Sequence, residues 1–446
     1  MLVLLLLAVA GELAAQNVNI LPKRNSPYSR FGLGDPVQQV YAAQAGMAGM
    51  GATYFNHSRT NLTNPASLGW MQFTAFEVGV NARYSSLTDG QQTEGVWSGN
   101  LKNLTLAFPL KNSINQIVDR RRDRFNWGMA FALQPYTEVG YNLELTTELR
   151  QGDSQAAQRY VNSLKGAGGT YKLMFANGFR YEDLAVGFEI GHVFGTITNS
   201  RRVELDSFNT TLSYATEFLD ETSVRGWTWS VGAQYRMPLE RDERTEEVTK
   251  SLTFGVYGNS ATSFDTKTDQ FYSRDNLGLT TISDTLLFSE DTPNTGQFPS
   301  RLGIGVMYQE LNRLKLGFDA SFTNWSNFEF GANPADFENA YRLAVGGEFI
   351  PEISSYNNYL ETVRYRLGLF YGTDPRTVNG QQLTEYGLTF GMGLPLVRPR
   401  QQTSYIDLAF EVGQFGLSEA IRETYLQMTV GFTLNDNTWF FKRKFN

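Results

Sequence analysis

The chain reads as an all-β protein: a transmembrane antiparallel β-barrel of about 14 strands with a small N-terminal plug. Three features predict this. From residue 72 onward, apolar and polar residues alternate strictly in segment after segment, the period-2 mark of a strand with one apolar face. The connections between these segments are long on one side and short on the other, as in bacterial outer-membrane barrels. An apolar leader and an irregular, Gly- and Asn-rich stretch precede the alternation.

Composition agrees. The 446 residues hold 42 Gly, 22 Tyr and 32 Phe, a mixture suited to strands and tight turns. The absence of Cys excludes disulfides and thiolate metal sites. Only two His are present, His57 and His192, which leaves little basis for a His-rich metal site or His-based catalysis. A net charge of -7 argues against nucleic acid as a partner.

The leader, residues 1–15, carries the apolar run Leu2 to Ala10 and then Leu13-Ala14-Ala15 before Gln16. This has the form of a signal peptide, although no Lys or Arg precedes the apolar run. It is shorter than the ~20 residues a membrane-spanning helix needs. Residues 16–71 are assigned to the plug. Their centre, "GMAGMGATYFNHSRTNLTNPASLG" (46–69), has neither helix nor strand period. Gly49, Gly51 and Ala66 allow close packing. Asn64 can serve backbone groups outside any ladder, and Pro65 fixes a turn. A flexible periplasmic leader is the alternative reading of this stretch.

The barrel occupies 72–434. Strands are expected near 72–84, 101–110, 125–138, 170–181, 184–200, 224–237, 250–266, 299–310, 313–325, 340–350, 361–373, 383–397, 403–417 and 421–434. Most reach the roughly 9–11 residues of a tilted membrane strand. Residues 138–169, 201–223 and 267–298 are then long connections, and 182–183, 311–312 and 398–402 short ones. Residues 435–446 form an aromatic, basic tail.

Alternation alone leaves open which face points inward, since a soluble sandwich alternates too. The charges decide for a polar interior. Glu77, Asp319, Arg364, Arg366, Asp407 and Glu411 lie on the polar faces. An Arg or Lys facing lipid at mid-bilayer costs roughly 2–4 kcal/mol, so these residues are expected in a lumen where opposite charges pair. Tyr84, Trp325, Tyr371 and Trp439 stand near strand ends, as interfacial girdles require.

With the strands placed, the chain resembles the FadL/TodX-type family of outer-membrane transporters for long-chain fatty acids and other hydrophobic compounds. The likeness rests on "FPSRLGIGVMYQELNRLKLGFDASFTNWSNF" (298–328), on "VRGWTWSVGAQYRMPLE…LTFGVY" (224–257), on "FNWGMAFALQPYTEVGY" (125–141), and on "GMGA" (49–52) with "NPASL" (64–68). The family has Gly after the Pro-aromatic pair; here Thr137 stands there. The resemblance implies a hatch in the lumen and passive uptake of a hydrophobic ligand. It also implies release into the membrane through an opening in the third strand, at Pro135 and Tyr136. The end of a strand before a long loop is the other reading of Pro135. The partners implied are outer-membrane lipid and a hydrophobic small molecule, with no cofactor or metal, and the site is the bacterial outer membrane. A second reading is a non-transporting subunit that docks secretion or surface proteins in a type IX-like secretion system. Enzyme chemistry is not expected: neither His has a nucleophile and an acid placed beside it in the pattern.

Overall fold

The structure, a computed structural model, describes residues 25–90, 92–111, 124–149, 158–206, 214–243, 248–276, 283–326, 328, 330, 337–398, 402–417 and 420–436. The leader 1–15 and Trp439 lie outside these residues.

After a two-residue strand in the plug, β1 (Asp35–Pro36), the wall begins with β2 (Thr74–Thr88), β3 (Thr93–Pro109), β4 (Phe125–Leu149), β5 (Gln158–Tyr181), β6 (Leu184–Asp206), β7 (Tyr214–Arg241) and β8 (Val248–Asn259). A hairpin follows, β9 (Thr262–Asn276) and β10 (Ser283–Phe298). The wall resumes with β11 (Ser300–Glu310), β12 (Leu314–Asn324), β13 (Ala340–Phe349), β14 (Arg364–Val378), β15 (Gln381–Arg398), β16 (Gln402–Gly416) and β17 (Arg422–Asp436). β8 pairs directly with β11, bypassing the hairpin, and β17 pairs with β2 along its whole length. The result is a closed antiparallel barrel of 14 wall strands, as the alternation predicts.

The apolar faces point outward. On β12, Leu316 and Phe318 are 52% and 40% exposed, while Lys315, next to Leu316, is 4% exposed. The same holds for Trp227, Trp229 and Val231 on β7 and for Leu367 and Leu369 on β14. A soluble sandwich would bury these side chains. An outward band of this kind is stable only against hydrocarbon.

The long connections require correction. Residues 138–169 and 201–223 are mostly strand: β4 and β5 run on to Leu149 and back from Gln158, and β6 and β7 behave likewise. Residues 267–298 hold most of the β9–β10 hairpin, and the single strand expected over 250–266 is two, broken at Ser260-Ala261. Beyond the bilayer both faces of a sheet meet water, so the apolar alternation disappears although the hydrogen-bonded ladder continues. The opposite rim is low. β5 and β6 are joined there by the two residues Glu182-Asp183, Glu182 with positive φ, a tight hairpin connection. Trp325 also departs from its expected place: it packs on Phe328 and Phe337, with ring centroids 5.1 and 5.8 Å away, instead of joining a girdle.

Candidate functional site

The segment before β2 fills the lumen. Among its described residues the regular parts are β1, one helical turn, Ala42–Ala45, and two 3-10 turns, Pro27–Arg30 and Pro65–Trp70. Asn61 donates through Nδ2 to the carbonyls of Gly51 and Tyr54, both at 2.7 Å. Asn64 donates to the Ala52 carbonyl at 2.7 Å and accepts from the Ala66 N–H at 3.1 Å, starting the turn that Pro65 opens. These amides replace a ladder the plug does not have. Gly49 has φ +75°, a conformation that favours Gly. At Gly51 a Cβ would meet the Thr63 side chain at 2.5 Å. Ala66 is fully buried beside Phe55, Trp70 and Ala185.

The wall charges hold this plug. Asp319 on β12 accepts the N–H groups of Gly51 and Ala52 through Oδ2, at 2.7 and 2.8 Å. Glu348 on β13 binds Lys315, Arg364 and Arg366 at 3.6, 3.0 and 2.8 Å. Arg366 continues to Asp407 at 2.7 Å, and Asp407 meets Arg59 of the plug at 3.0 Å. The Arg59 guanidinium lies 3.9 Å from the Tyr405 ring centroid. Glu411 accepts from the Tyr425 hydroxyl at 2.7 Å. Glu77 points inward and is buried. The candidate lumen charges therefore all face inward. The sequence reading missed Arg59: it lies in the stretch without a period, where nothing marks which side chains reach the wall.

Above the plug lies a cavity of about 300 Å³. Leu33 and Val37 of the plug line one side; Tyr136, Phe298, Trp325 and Phe337 line the others. Tyr136 and Phe298 meet edge to face, with centroids 5.3 Å apart. Charges of both signs also line it, among them Arg301, Asp319 and the ion pair Arg342–Glu385 at 3.5 Å.

Beside this cavity the ladder between β3 and β4 is incomplete. The two strands pair from Pro109·Gly128 to Leu104·Leu133 and no further. β3 continues upward on β2, and β4 continues upward on β5. The β4–β5 register slips between Pro135 and Thr137, with Tyr136 at the irregularity. Pro has no N–H to give a neighbouring strand, and bulges accompany such sites. Here Pro135 sits within a 25-residue strand, not at a strand end. Plug residues take the place of β3 along the free edge of β4. Asp35 and Pro36 pair with Glu138 and Thr137, Val37 N–H donates to the Tyr136 carbonyl at 3.0 Å, and Ser26 N–H to that of Gly140 at 2.8 Å. Two side chains bridge the remaining gap: Asn100 donates to Glu138 at 2.7 Å and Lys102 to the Gln38 carbonyl at 2.8 Å.

A family model, BamG, matches residues 1–446. The chain belongs to the BamG family. No curated protein matches it. Among solved structures it is similar to a Pseudomonas aeruginosa FadL homologue at 13% identity and TM-score 0.54, over 89% of this chain and 98% of the other. It is similar to the Ralstonia pickettii toluene transporter TbuX at 14% identity and TM-score 0.53, over 88% and 97%. The CymD monoaromatic hydrocarbon channel gives 14% and 0.51, over 89% and 97%. At such identities the likeness is one of fold. The resemblance to FadL/TodX-type transporters is thus structural, and the family is BamG.

In this BamG-family barrel the two His stand in different surroundings. His57 Nδ1 lies 2.7 Å from the Trp70 carbonyl, inside the plug. Burial lowers its pKa to about 4, against a smaller upward effect of that hydrogen bond. His192 is on the outer face between Trp227 and Phe194, at centroid distances of 4.8 and 5.9 Å. Among the described residues no group of three or more His, Asp or Glu is placed to hold a metal.

Proposed function

We propose that this barrel lies in a bacterial outer membrane and carries hydrophobic compounds, such as long-chain fatty acids, passively from the aromatic cavity into the membrane. The observation that carries the reading is one residue pair with two roles. Tyr136 and Thr137 line the cavity and also stand on the stretch of β4 that has lost β3. Straight passage downward would push an apolar ligand through the plug and through Glu348, Arg366 and Asp407, where displacing buried, paired charges is costly. Sideways passage next to Pro135 and Tyr136 meets lipid directly. In that reading the plug segment Asp35–Val37 must leave the β4 edge for the path to open.

The test uses purified barrel in liposomes, with oleate and toluene as probes. The expected result is saturable binding of at least one probe, and passage that Tyr136→Trp slows about tenfold by narrowing the cavity. If neither probe binds or passes, the transport reading fails. The paired charges of the lumen favour the second reading, a barrel that docks secretion partners without transport. Mild detergent extraction from native membranes tests it: a stoichiometric companion protein together with no ligand passage would support that role.

A further inference from the structure

The upper halves of β4 to β7 and the β9–β10 hairpin form a sheet outside the membrane. β9 pairs with β7 from Gly226·Phe264 to Tyr214·Asn276, above the point where β8 leaves β7. The lipid-facing row on β7 ends at Trp227, 63% exposed. Leu219, the β7 partner of Phe271, stands eight positions further along. At ~3.3 Å per residue and a tilt of about 40°, Phe271 lies roughly 20 Å beyond that girdle. Lipid is therefore not its neighbour.

This sheet ends in an open edge. Among the described residues the register of β10 is with β9 alone. Its lower part is blunted in the usual ways: Pro293, a register irregularity between Ser289 and Thr292, and Asp291 with positive φ. Its upper part, Ser283–Ser289, has one register irregularity, between Thr285 and Leu287, but none of Pro, Lys or Arg, and presents Leu286, Leu287 and Phe288 in succession. These are 45%, 40% and 63% exposed. Phe288 pairs with the exposed Phe271, centroids 6.4 Å apart. An apolar edge in water with neither Pro nor a cation along it is a template for another strand. The charge around it selects the occupant. Residues 262–298 hold six Asp or Glu and two Lys or Arg. A second copy would bring the same negative charge against its own, which is unfavourable at this range.

We propose that the Ser283–Ser289 edge of β10 receives an extended, basic segment of a partner protein, which adds a strand to the sheet outside the membrane. The backbone supplies the hydrogen bonds, Phe271 and Phe288 pack on alternate side chains of the incoming strand, and Asp284 and Glu290 meet its cations. The site is independent of the cavity and holds whether or not the barrel carries a ligand.

The test takes the full-length barrel in detergent micelles and two labelled octapeptides, one of alternating Lys and Val, the other of alternating Glu and Val. The Lys/Val peptide is expected to bind at least about tenfold tighter by fluorescence anisotropy, to weaken with salt, and to protect β10 amides from hydrogen exchange. Leu286→Ser/Phe288→Ser and Asp284→Lys/Glu290→Lys are each expected to reduce that binding about tenfold. Both change exposed positions, and retention of the barrel is checked by resistance to SDS before heating. Equal binding of the two peptides, no binding, or protection confined to other strands overturns the proposal. So does a dimer in sedimentation that Leu287→Lys dissociates, which would make a second copy the occupant.

Discussion

Arg59 of the plug lies 3.0 Å from Asp407 of the wall, and both side chains are about 1% exposed. A cation in a stretch without secondary-structure period thereby closes a chain of charges that runs through Arg366 to Glu348 and Lys315. Without Arg59, Asp407 keeps Arg366 as its partner at 2.7 Å, so the cost falls below the roughly 3–5 kcal/mol of a buried charge left alone. Arg59→Ala is expected to loosen the plug and raise the conductance of single barrels in planar bilayers. Asp407→Asn should loosen the plug more than Arg59→Ala does, because it takes a partner from both Arg59 and Arg366.

The wall must also give the plug room. A Cβ at Gly187 would stand 2.4 Å from the backbone carbon of Pro65, and one at Gly255 would stand 2.1 Å from the Ala52 carbonyl oxygen. Both contacts are with backbone, which has little freedom to yield. Gly187→Ala and Gly255→Ala are expected to leave the barrel folded and to displace the plug. The measurement is faster protease cleavage within residues 40–66 at unchanged resistance of the barrel to SDS.

Deletion of residues 40–66 goes further. It removes Arg59 and both N–H groups that satisfy Asp319. The barrel wall keeps its own ladders, including the β2–β17 closure. The expected product is a folded barrel that passes small solutes, read as increased conductance and uptake of a polar dye.

The plug should respond to pH through His57. Its pKa is about 4 in the fold against 6.5 as the ordinary value. Between those values the unfolded chain binds more protons than the folded one, so stability rises with pH across that window. The contribution is complete above pH 6.5 and is lost as pH falls from 6.5 to 4, with an upper bound of about 3 kcal/mol. Maleimide labelling of Ser58→Cys should accelerate over that range. In His57→Gln the rate should be nearly flat.

The opening beside β4 can be locked, because the chain contains no Cys. Pro36 and Thr137 are Cα partners in the β1–β4 ladder, a spacing within disulfide range. Pro36→Cys/Thr137→Cys is expected to lose ligand passage when oxidised and recover it on reduction, with conductance unchanged in both states. Equal passage in the two states would remove the plug segment Asp35–Val37 from any gating role.

How much of this was legible varies with position along each strand. Inside the bilayer the alternation of Leu316, Phe318 and Phe322 with Lys315 and Asp319 marks both the strand and its inward face. Lipid on one side and a polar lumen on the other impose opposite demands on neighbouring residues. Above the bilayer the same strands pass between two aqueous faces. There Thr, Ser, Asp and Tyr follow no period, and β9, β10 and the upper parts of β4 to β7 read as loops. Pro135 could be singled out from its type. The end of the β3–β4 ladder at Leu104·Leu133 could not, since pairing depends on where two strands diverge in space.

The chain alone therefore settles the barrel, its strand number and the facing of its wall residues, because a two-solvent environment writes a period into every spanning segment. The plug's clamps, the cavity between Leu33 and Phe298, and the gap beside Pro135 are decided by tertiary packing. They join residues up to hundreds of positions apart, such as Arg59 and Asp407, through contacts that no local pattern records.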